Sequence, residues 1–321
     1  MSRKACIIGN LNADLVLYPI TDFPTWGTEV LVSSMDWRAG GVGNALLCLA
    51  RLGVEVSAVA NVGRDAIGQD LLSTLEKAGV DMSHVERSPN VRTAVSVGIG
   101  REDGERAFVT HLGHLELLDI DLVLGHREAW KEAQWVLISG YFLMPGLGFK
   151  GTRELIDEIH AEGKKVLLDT GWDVSGWAER TVEEVMQLLE KVDIFLPSLN
   201  EAQALTGENS PEGCLESLFA RCASCVIIKM GEAGSIARTR EGVFRHWAFP
   251  VLPLDTTGAG DSFNAGVVFG LLRDWDIRQT QRLANAVAAM VISRPREGGY
   301  PVLSEVEEYL STNLVATEVE Q

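Results

Sequence analysis

An α/β fold is predicted: a central, mostly parallel sheet flanked by helices on both faces, with a small β-sheet lid. Three observations lead to it. Apolar runs of strand length alternate with stretches of helical period along most of the 321 residues. No repeat, low-complexity tract or Pro-rich linker interrupts that alternation. Two segments break it, reading as strands with no helix between them.

The elements follow in order. Segments 5–9, 56–62, 135–139, 165–169, 194–197 and 225–229 are short apolar runs suited to buried parallel strands. Helical periodicity marks 44–52, 68–78, 150–162, 182–191, 211–222, 261–273 and 277–292. Segments 28–37 and 93–110 read as the additional strands, the second folding back at "REDGER" with Asp103-Gly104 as the hairpin turn. Both are expected to leave the main sheet and form a lid, from about 12–38 and 91–112, over the C-terminal side of the sheet where ligands bind. Residues 1–310 then make a single domain, and the tail 311–321 is expected to fray.

Hydrophobic residues make up 46% and charged residues 23%, an ordinary globular balance, and the net charge of −17 argues against a nucleic-acid partner. No apolar run approaches a membrane span, and no signal peptide is expected, so a cytoplasmic location is predicted. The five cysteines, Cys6, Cys48, Cys214, Cys222 and Cys225, are scattered, as suits a reducing compartment. Cys222 and Cys225 form a CxxC pair, but where a helical stretch passes into an apolar strand, not on a strand-to-helix turn. The six histidines form no ligand constellation, and no transition-metal site is predicted.

Two glycine-rich stretches remain. "GGVGNALLCLARLG" at 40–53 fails as a dinucleotide fingerprint, because Leu46 stands at the third glycine position, and no Walker A loop occurs. Gly40, Gly41 and Gly43 permit close backbone approach, and Asn44 both donates and accepts, which suits a polyhydroxylated ligand; the alternative is Asn44 as a simple helix cap. "DTTGAGDSF" at 255–263 puts Gly258, Ala259 and Gly260 at a helix start, followed by Asp261. A tight turn accounts for the glycines and leaves the acid unexplained.

Together, "GGVGNALLCLARLG" and "DTTGAGDSFNAG" resemble the two signatures of the ribokinase-like, or phosphofructokinase-B, carbohydrate kinases. The resemblance covers nearly the whole chain, including "GNLNADL" at 9–15, "GRDAIGQDLLSTLEKAGVD" at 63–81 and "KMGEAGS" at 229–235. It implies an ATP-dependent sugar kinase that transfers the γ-phosphoryl group to a sugar hydroxyl with Mg²⁺. Backbone N–H groups of Gly258, Ala259 and Gly260 would form an anion hole at a helix N-terminus, with Asp261 as general base rather than a mere helix cap. Asn12, Asp14, Gly40, Gly41 and Asn44 are implied as sugar-binding. Lys229, Gly231 and Gly234 would border the nucleotide phosphates and ribose, and Asn285 and Ala286 the adenine. Glu201 is implied to organise Mg²⁺ through water, with Ser198 standing where relatives commonly carry asparagine. Asp255 and Thr257 match a K⁺ position of many members, or make a turn-stabilising pair.

Two further departures stand out: Val42 occupies a position where some ribokinases have lysine, and "LDTGWD" replaces a more usual "DPN". Sugar choice is expected in lid side chains around Trp26, Trp37, Arg92, Arg106 and His111, and the resemblance implies a homodimer through the lids. The alternatives are a nucleoside kinase of the same fold and a catalytically silent sugar-binding regulatory protein.

Overall fold

The computed structural model describes residues 4–101, 106–222, 224–295, 299–313 and 317–320. Its strands are β1 (Lys4–Gly9), β2 (Leu11–Ile20), β3 (Ser34–Gly41), β4 (Glu55–Gly63), β5 (Val85–Ser88), β6 (Val95–Arg101) and β7 (Arg106–His111). They continue with β8 (Ala133–Ser139), β9 (Lys165–Asp169), β10 (Ile194–Phe195), β11 (Cys225–Lys229), β12 (Ser235–Thr239), β13 (Gly242–His246) and β14 (Thr317–Glu320). Ten strands form the main sheet in the order β14-β13-β12-β11-β10-β9-β8-β1-β4-β5. The strands from β11 to β5 run parallel, and β12, β13 and β14 add an antiparallel edge.

Side-chain alternation along each central strand feeds two separate cores. Ala5 and Ile7 of β1 enter one with the helices Val42–Arg51, Ala259–Leu272 and Ile277–Ile292; Cys6 and Ile8 enter the other with Gly148–Ala161, Glu179–Leu189 and Pro211–Phe219. A strand buried on both faces cannot afford alternating polarity, which is why these segments read as continuous apolar runs. Among the described residues no helix is long and apolar enough to cross a membrane.

The lid is a four-stranded sheet ordered β3-β2-β6-β7. Its boundaries correct the sequence reading: the strand expected at 28–37 is Ser34–Gly41, with no strand over 28–33, because its partner β2 follows β1 after Asn10 alone. Strands β6 and β7 pair antiparallel as a hairpin. The Asp103-Gly104 turn lies outside the described residues. The end expected to fray instead carries β14, which pairs antiparallel with β13 and satisfies the backbone of that edge.

Register shows what the lid presents. Asp14 lies opposite Arg38 and Ser96, Ser96 opposite Thr110, Tyr18 opposite Ser34, and Gly100 opposite Arg106. Paired residues share a face, so one surface carries Asn12, Asp14, Arg38, Ser96, Thr110 and Arg106. The opposite surface carries Leu15, Leu17, Met35, Val97, Ile99 and Val109.

One imidazole ties the roots of the lid together. His114 Nδ1 accepts from Ala94 N at 2.9 Å, which leaves Nε2 to donate to Leu11 O at 3.1 Å. Burial pushes the ring down to about 4, against the opposing pull of the Leu11 carbonyl. A ring protonated on both nitrogens would turn an N–H toward the Ala94 N–H. Because the folded pKa lies below the unfolded value, the ring's contribution is complete above about 6.5 and is lost as pH falls toward the folded value, roughly 3 kcal/mol at most. The expected outcome in thermal melts at pH 8, 6 and 5 is a steeper acid loss of Tm for the native protein than for His114→Gln. Parallel curves, with the variant merely lower throughout, would remove the imidazole from the account.

Candidate active site

The site gathers where the carboxyl ends of the parallel strands meet the N-terminus of the helix Ala259–Leu272, the place at which ligands bind in open α/β sheets. On the lid side, Asn10, Asn12 and Asp14 form a relay: Asn10 Nδ2 donates to Asn12 Oδ1 at 3.0 Å, and Asn12 Nδ2 donates to Asp14 Oδ1 at 2.8 Å. The paired glycines of "GGVGN" are explained by this relay. A Cβ on Gly40 would stand 2.2 Å from the Asp14 carboxylate, and one on Gly41 would stand 2.1 Å from Asn10 O at a φ of +53°. Neither position accepts a side chain, and both hold the helix Val42–Arg51, with Asn44 in its first turn, against the lid strand.

Gly258 caps the helix Ala259–Leu272 in the left-handed conformation, with a φ of 77°. A Cβ on Gly260 would meet nothing nearer than Lys229 Nζ at 3.7 Å, so open space lies between the helix N-terminus and an ammonium group. Both are sources of positive potential, which is the fit an incoming phosphate requires. Asp261 stands in the first turn and accepts from Asn44 Nδ2 at 2.9 Å. Burial, then the Asp169 carboxylate and Asp14, push Asp261 up to about 7, while Asn44 and Lys229 pull the other way.

Lys229 Nζ is paired with Asp169 Oδ2 at 2.7 Å and also reaches Asn264 Oδ1 at 3.4 Å; the Asn264 amide donates to the same Asp169 oxygen. Burial works against both charges, yet each holds the other ionised: Asp169 lies below its usual range and Lys229 above it. Glu201 is raised by burial and by Asp169.

The remaining predicted residues fall into distinct settings. Ser198 and Glu201 make a reciprocal capping box on the helix Leu199–Thr206, with Ser198 N donating to Glu201 Oε2 at 2.8 Å. Gly231 faces open space, whereas Gly234 lets the chain pass against the backbone of His246 and Ala248. Asn285 donates to Ser235 Oγ at 2.8 Å. Ala286 is fully buried in the core, with no surface to offer a nucleotide. Asp255 accepts from Thr257 N at 2.8 Å and from Arg38 Nη2 at 2.6 Å, and Arg106 Nη1 donates to Thr257 Oγ1 at 3.1 Å. Burial opposes ionisation of Asp255, but Arg38 outweighs it and holds the carboxyl down at about 2. Arginines of β3 and β7 thus clasp the loop that leads to Asp261.

Sequence reasoning missed Asp169, Asn264, Arg38 and Tyr300. Asp169 carried a local signal, as the acid ending the apolar run "KVLLD" at the carboxyl end of a strand, and Asn264 lies within the signature "DTTGAGDSFNAG". Tyr300 donates its hydroxyl to Asn44 Oδ1 at 2.7 Å from far along the chain. A cavity of about 910 Å³ lies beside the Asp261 cluster, lined among others by Tyr18, Arg38, Arg106, Asp255 and Tyr300. Among the described residues no group of three or more His, Cys, Asp or Glu is arranged to hold a metal ion by itself.

Residues 2–300 match the family model "pfkB family carbohydrate kinase". The chain is 27% identical over 282 residues to the 2-dehydro-3-deoxygluconokinase of Bacillus subtilis, covering 85% of this chain and 86% of that protein. It is 28% identical over 317 residues to the ribokinase of the same species, covering 96% and 100%. Among solved structures, the ATP-bound fructokinase of Xylella fastidiosa superposes with a TM-score of 0.81 at 20% identity, over 97% of this chain and 99% of that one. The ribokinase of Thermotoga maritima gives 0.78 at 22% identity, over 96% and 99%. The family match spans both glycine signatures, the lid strands and the Asp261 turn, and by it the chain belongs to the pfkB family of carbohydrate kinases.

Proposed function

We propose that the protein phosphorylates a hydroxyl of a small sugar with ATP, using Asp261 as the base. The observation that carries this reading is Asp261 itself. It is a carboxyl raised to about 7, set in the first turn of a helix and beside an Asn44 amide, with the hydrogen-bonded pair Asn12 and Asp14, which we assign to sugar hydroxyls, on the facing lid. The acceptor hydroxyl gives its proton to Asp261 as its oxygen bonds to the γ-phosphorus. The bond from that phosphorus to the β–γ bridging oxygen breaks, and its electron pair leaves with ADP. Phosphoryl transfer asks mainly for positioning and charge stabilisation. The Gly258 and Gly260 N–H groups and the Lys229 ammonium would supply the second at the transferring group, whereas the Ala259 N–H donates to Thr256 O at 3.3 Å.

Mg²⁺ bound with the nucleotide would neutralise phosphate charge. A structural neighbour from E. coli, 21% identical with a TM-score of 0.82, was solved with ATP and Mg²⁺. Glu201 fits a role toward such an ion, since its capping bond engages one oxygen and leaves the other for a metal-bound water. A monovalent cation at Asp255 and Thr257 would share the carboxylate with Arg38.

A nucleoside acceptor is favoured by one specific observation. Tyr18 and Phe108 stand partly exposed on the inner lid surface over Gly100 and Gly98, whose missing side chains leave room for the rings. A neighbour at TM-score 0.78, the nucleoside kinase of Burkholderia thailandensis, was solved with inosine. The polar row of Asn12, Asp14, Ser96 and Thr110 nearer the base argues for a sugar.

The lid's other surface supports a homodimer. Met35 and Val109 are exposed there, and the connection before β3 exposes Phe23, Trp26 and Leu31. A second copy of the chain is the occupant that removes all of this apolar surface from water at once.

Four outcomes are expected. Asp261→Asn should lower kcat about a thousandfold, within the usual range for a general base, with nucleotide affinity little changed. The kcat of the native enzyme should rise with pH through about 7, as Asp261 loses its proton. A variant keeping more than about a tenth of native kcat excludes Asp261 as the base. In an ADP-release panel, a neutral pentose or hexose should turn over well above adenosine or inosine. Nucleosides ahead of every sugar would reverse the substrate assignment, and equal rates in K⁺ and choline would remove the monovalent cation. Sedimentation should give a dimer that Met35→Glu with Val109→Glu converts to a monomer, and an unchanged dimer would place the interface elsewhere.

A further inference from the structure

We infer that Tyr300 is a positioning residue for the base: its hydroxyl fixes the Asn44 amide so that Asn44 donates to Asp261. The inference rests on the reading of Asp261 as base.

The geometry is a relay of two hydrogen bonds, Tyr300 Oη to Asn44 Oδ1 at 2.7 Å and Asn44 Nδ2 to Asp261 Oδ2 at 2.9 Å. Asn44 is buried and its amide has two ends of opposite character. An ionised Asp261 only accepts, so the NH₂ end must face it. That leaves Oδ1 in need of a donor, and the Tyr300 O–H is the donor supplied. Nδ2 also reaches Gly41 O at 3.4 Å, so two acceptors set which end of the amide faces Asp261; with the phenol removed, Oδ1 loses its donor and the amide is held from one end only. The bonds also reinforce one another, because donation into Oδ1 polarises the Nδ2–H groups.

Tyr300 is itself held in place. Arg51 Nε donates to Tyr300 O at 3.1 Å, and the ring packs against the core that contains Leu46 and Leu49. Arg51 ends the helix whose first turn contains Asn44, so Tyr300 lies along that helix, with its carbonyl bound at one end and its hydroxyl at the other. On the opposite side, Asn44 stands 3.0 Å from where a Gly258 Cβ would be. The amide is therefore confined between the turn of the anion hole and the phenol. Packing alone would be served equally by phenylalanine, so the hydroxyl is what needs explaining.

Among the described residues, four side chains act on Asp261. Asp14 from β2 and Asp169 from β9 favour its protonated form, and Lys229 from β11 and Asn44 favour the carboxylate. Weakening the Asn44 bond shifts that balance toward the proton, so less base is present at neutral pH.

The test is Tyr300→Phe assayed for kcat, KM and pH dependence beside Asp261→Asn. The expected result is a kcat lower by about three- to tenfold, the scale of one hydrogen bond. The acid limb of kcat should move up by about half a pH unit or more, with the KM for ATP unchanged. In an Asn44→Leu background the same substitution should have no further effect. Replacing Tyr300 with 3-fluorotyrosine, which keeps the shape and donates more strongly, should move the acid limb down and covers the case in which the Phe variant folds poorly. An unmoved limb in both Tyr300 variants, with Asp261→Asn inactive, would overturn the role of Tyr300 while leaving the base intact. Substantial activity in Asp261→Asn would remove the base and this inference with it.

Discussion

The buried ion pair of Lys229 and Asp169 is the interaction on which the site depends. The two residues end strands separated by β10, so the parallel sheet brings them together without any loop having to reach. Burying two charges is costly, and a buried pair is weak evidence for stability. Its value here is positional. Lys229 sets a cation beside the open face of Gly260, and Asp169, held ionised by it, raises the neighbouring carboxyls. Asn264, one helical turn beyond Asp261, bonds both partners and so ties the pair to the helix that presents the base.

How much was legible in the sequence depended on how local each determinant is. The strands Lys165–Asp169 and Cys225–Lys229 and the helix Ile277–Ile292 coincide with their expected bounds, because apolar runs and an Asp276–Gln279 capping box are local signals. The run expected at 194–197 shrinks to Ile194–Phe195, since Pro197 has no N–H to give a ladder. The β12–β13 hairpin escaped because Arg238 and Arg245 interrupt "SIART" and "GVFRH", so neither reads as a continuous apolar run. The glycine signatures announced the site, but Tyr300 and Arg38 reach it only through the fold, from segments with no motif of their own.

Ser198 and Glu201 show why a motif position and a structural position need not compete. The box that starts the helix Leu199–Thr206 explains Ser198 completely and Glu201 by half. A glutamate that merely capped a helix would gain from exposure to water. This one is buried and crowded by Asp169, which raises its proton affinity. Such a placement costs stability and is typical of functional carboxyls.

The join between sheet and lid has a mechanical meaning. Strand β2 begins one residue after β1 ends, β3 runs directly into the helix Val42–Arg51, and Val42 N donates to Asn10 O across the joint at 3.0 Å. With no flexible linker on either strand, the lid is a lever whose fulcrum lies at Asn10 and Gly41. Asn12 and Gly40 sit beside that fulcrum, while Tyr18 is six residues farther out, about 20 Å along a strand. A rotation about that fulcrum would move the outer end, with Tyr18, farther than the inner end, and it would have to release Arg106 from Thr257. On that geometry any opening would separate Tyr18 from the main sheet before it separated Asn12 and Gly40 from Asn10.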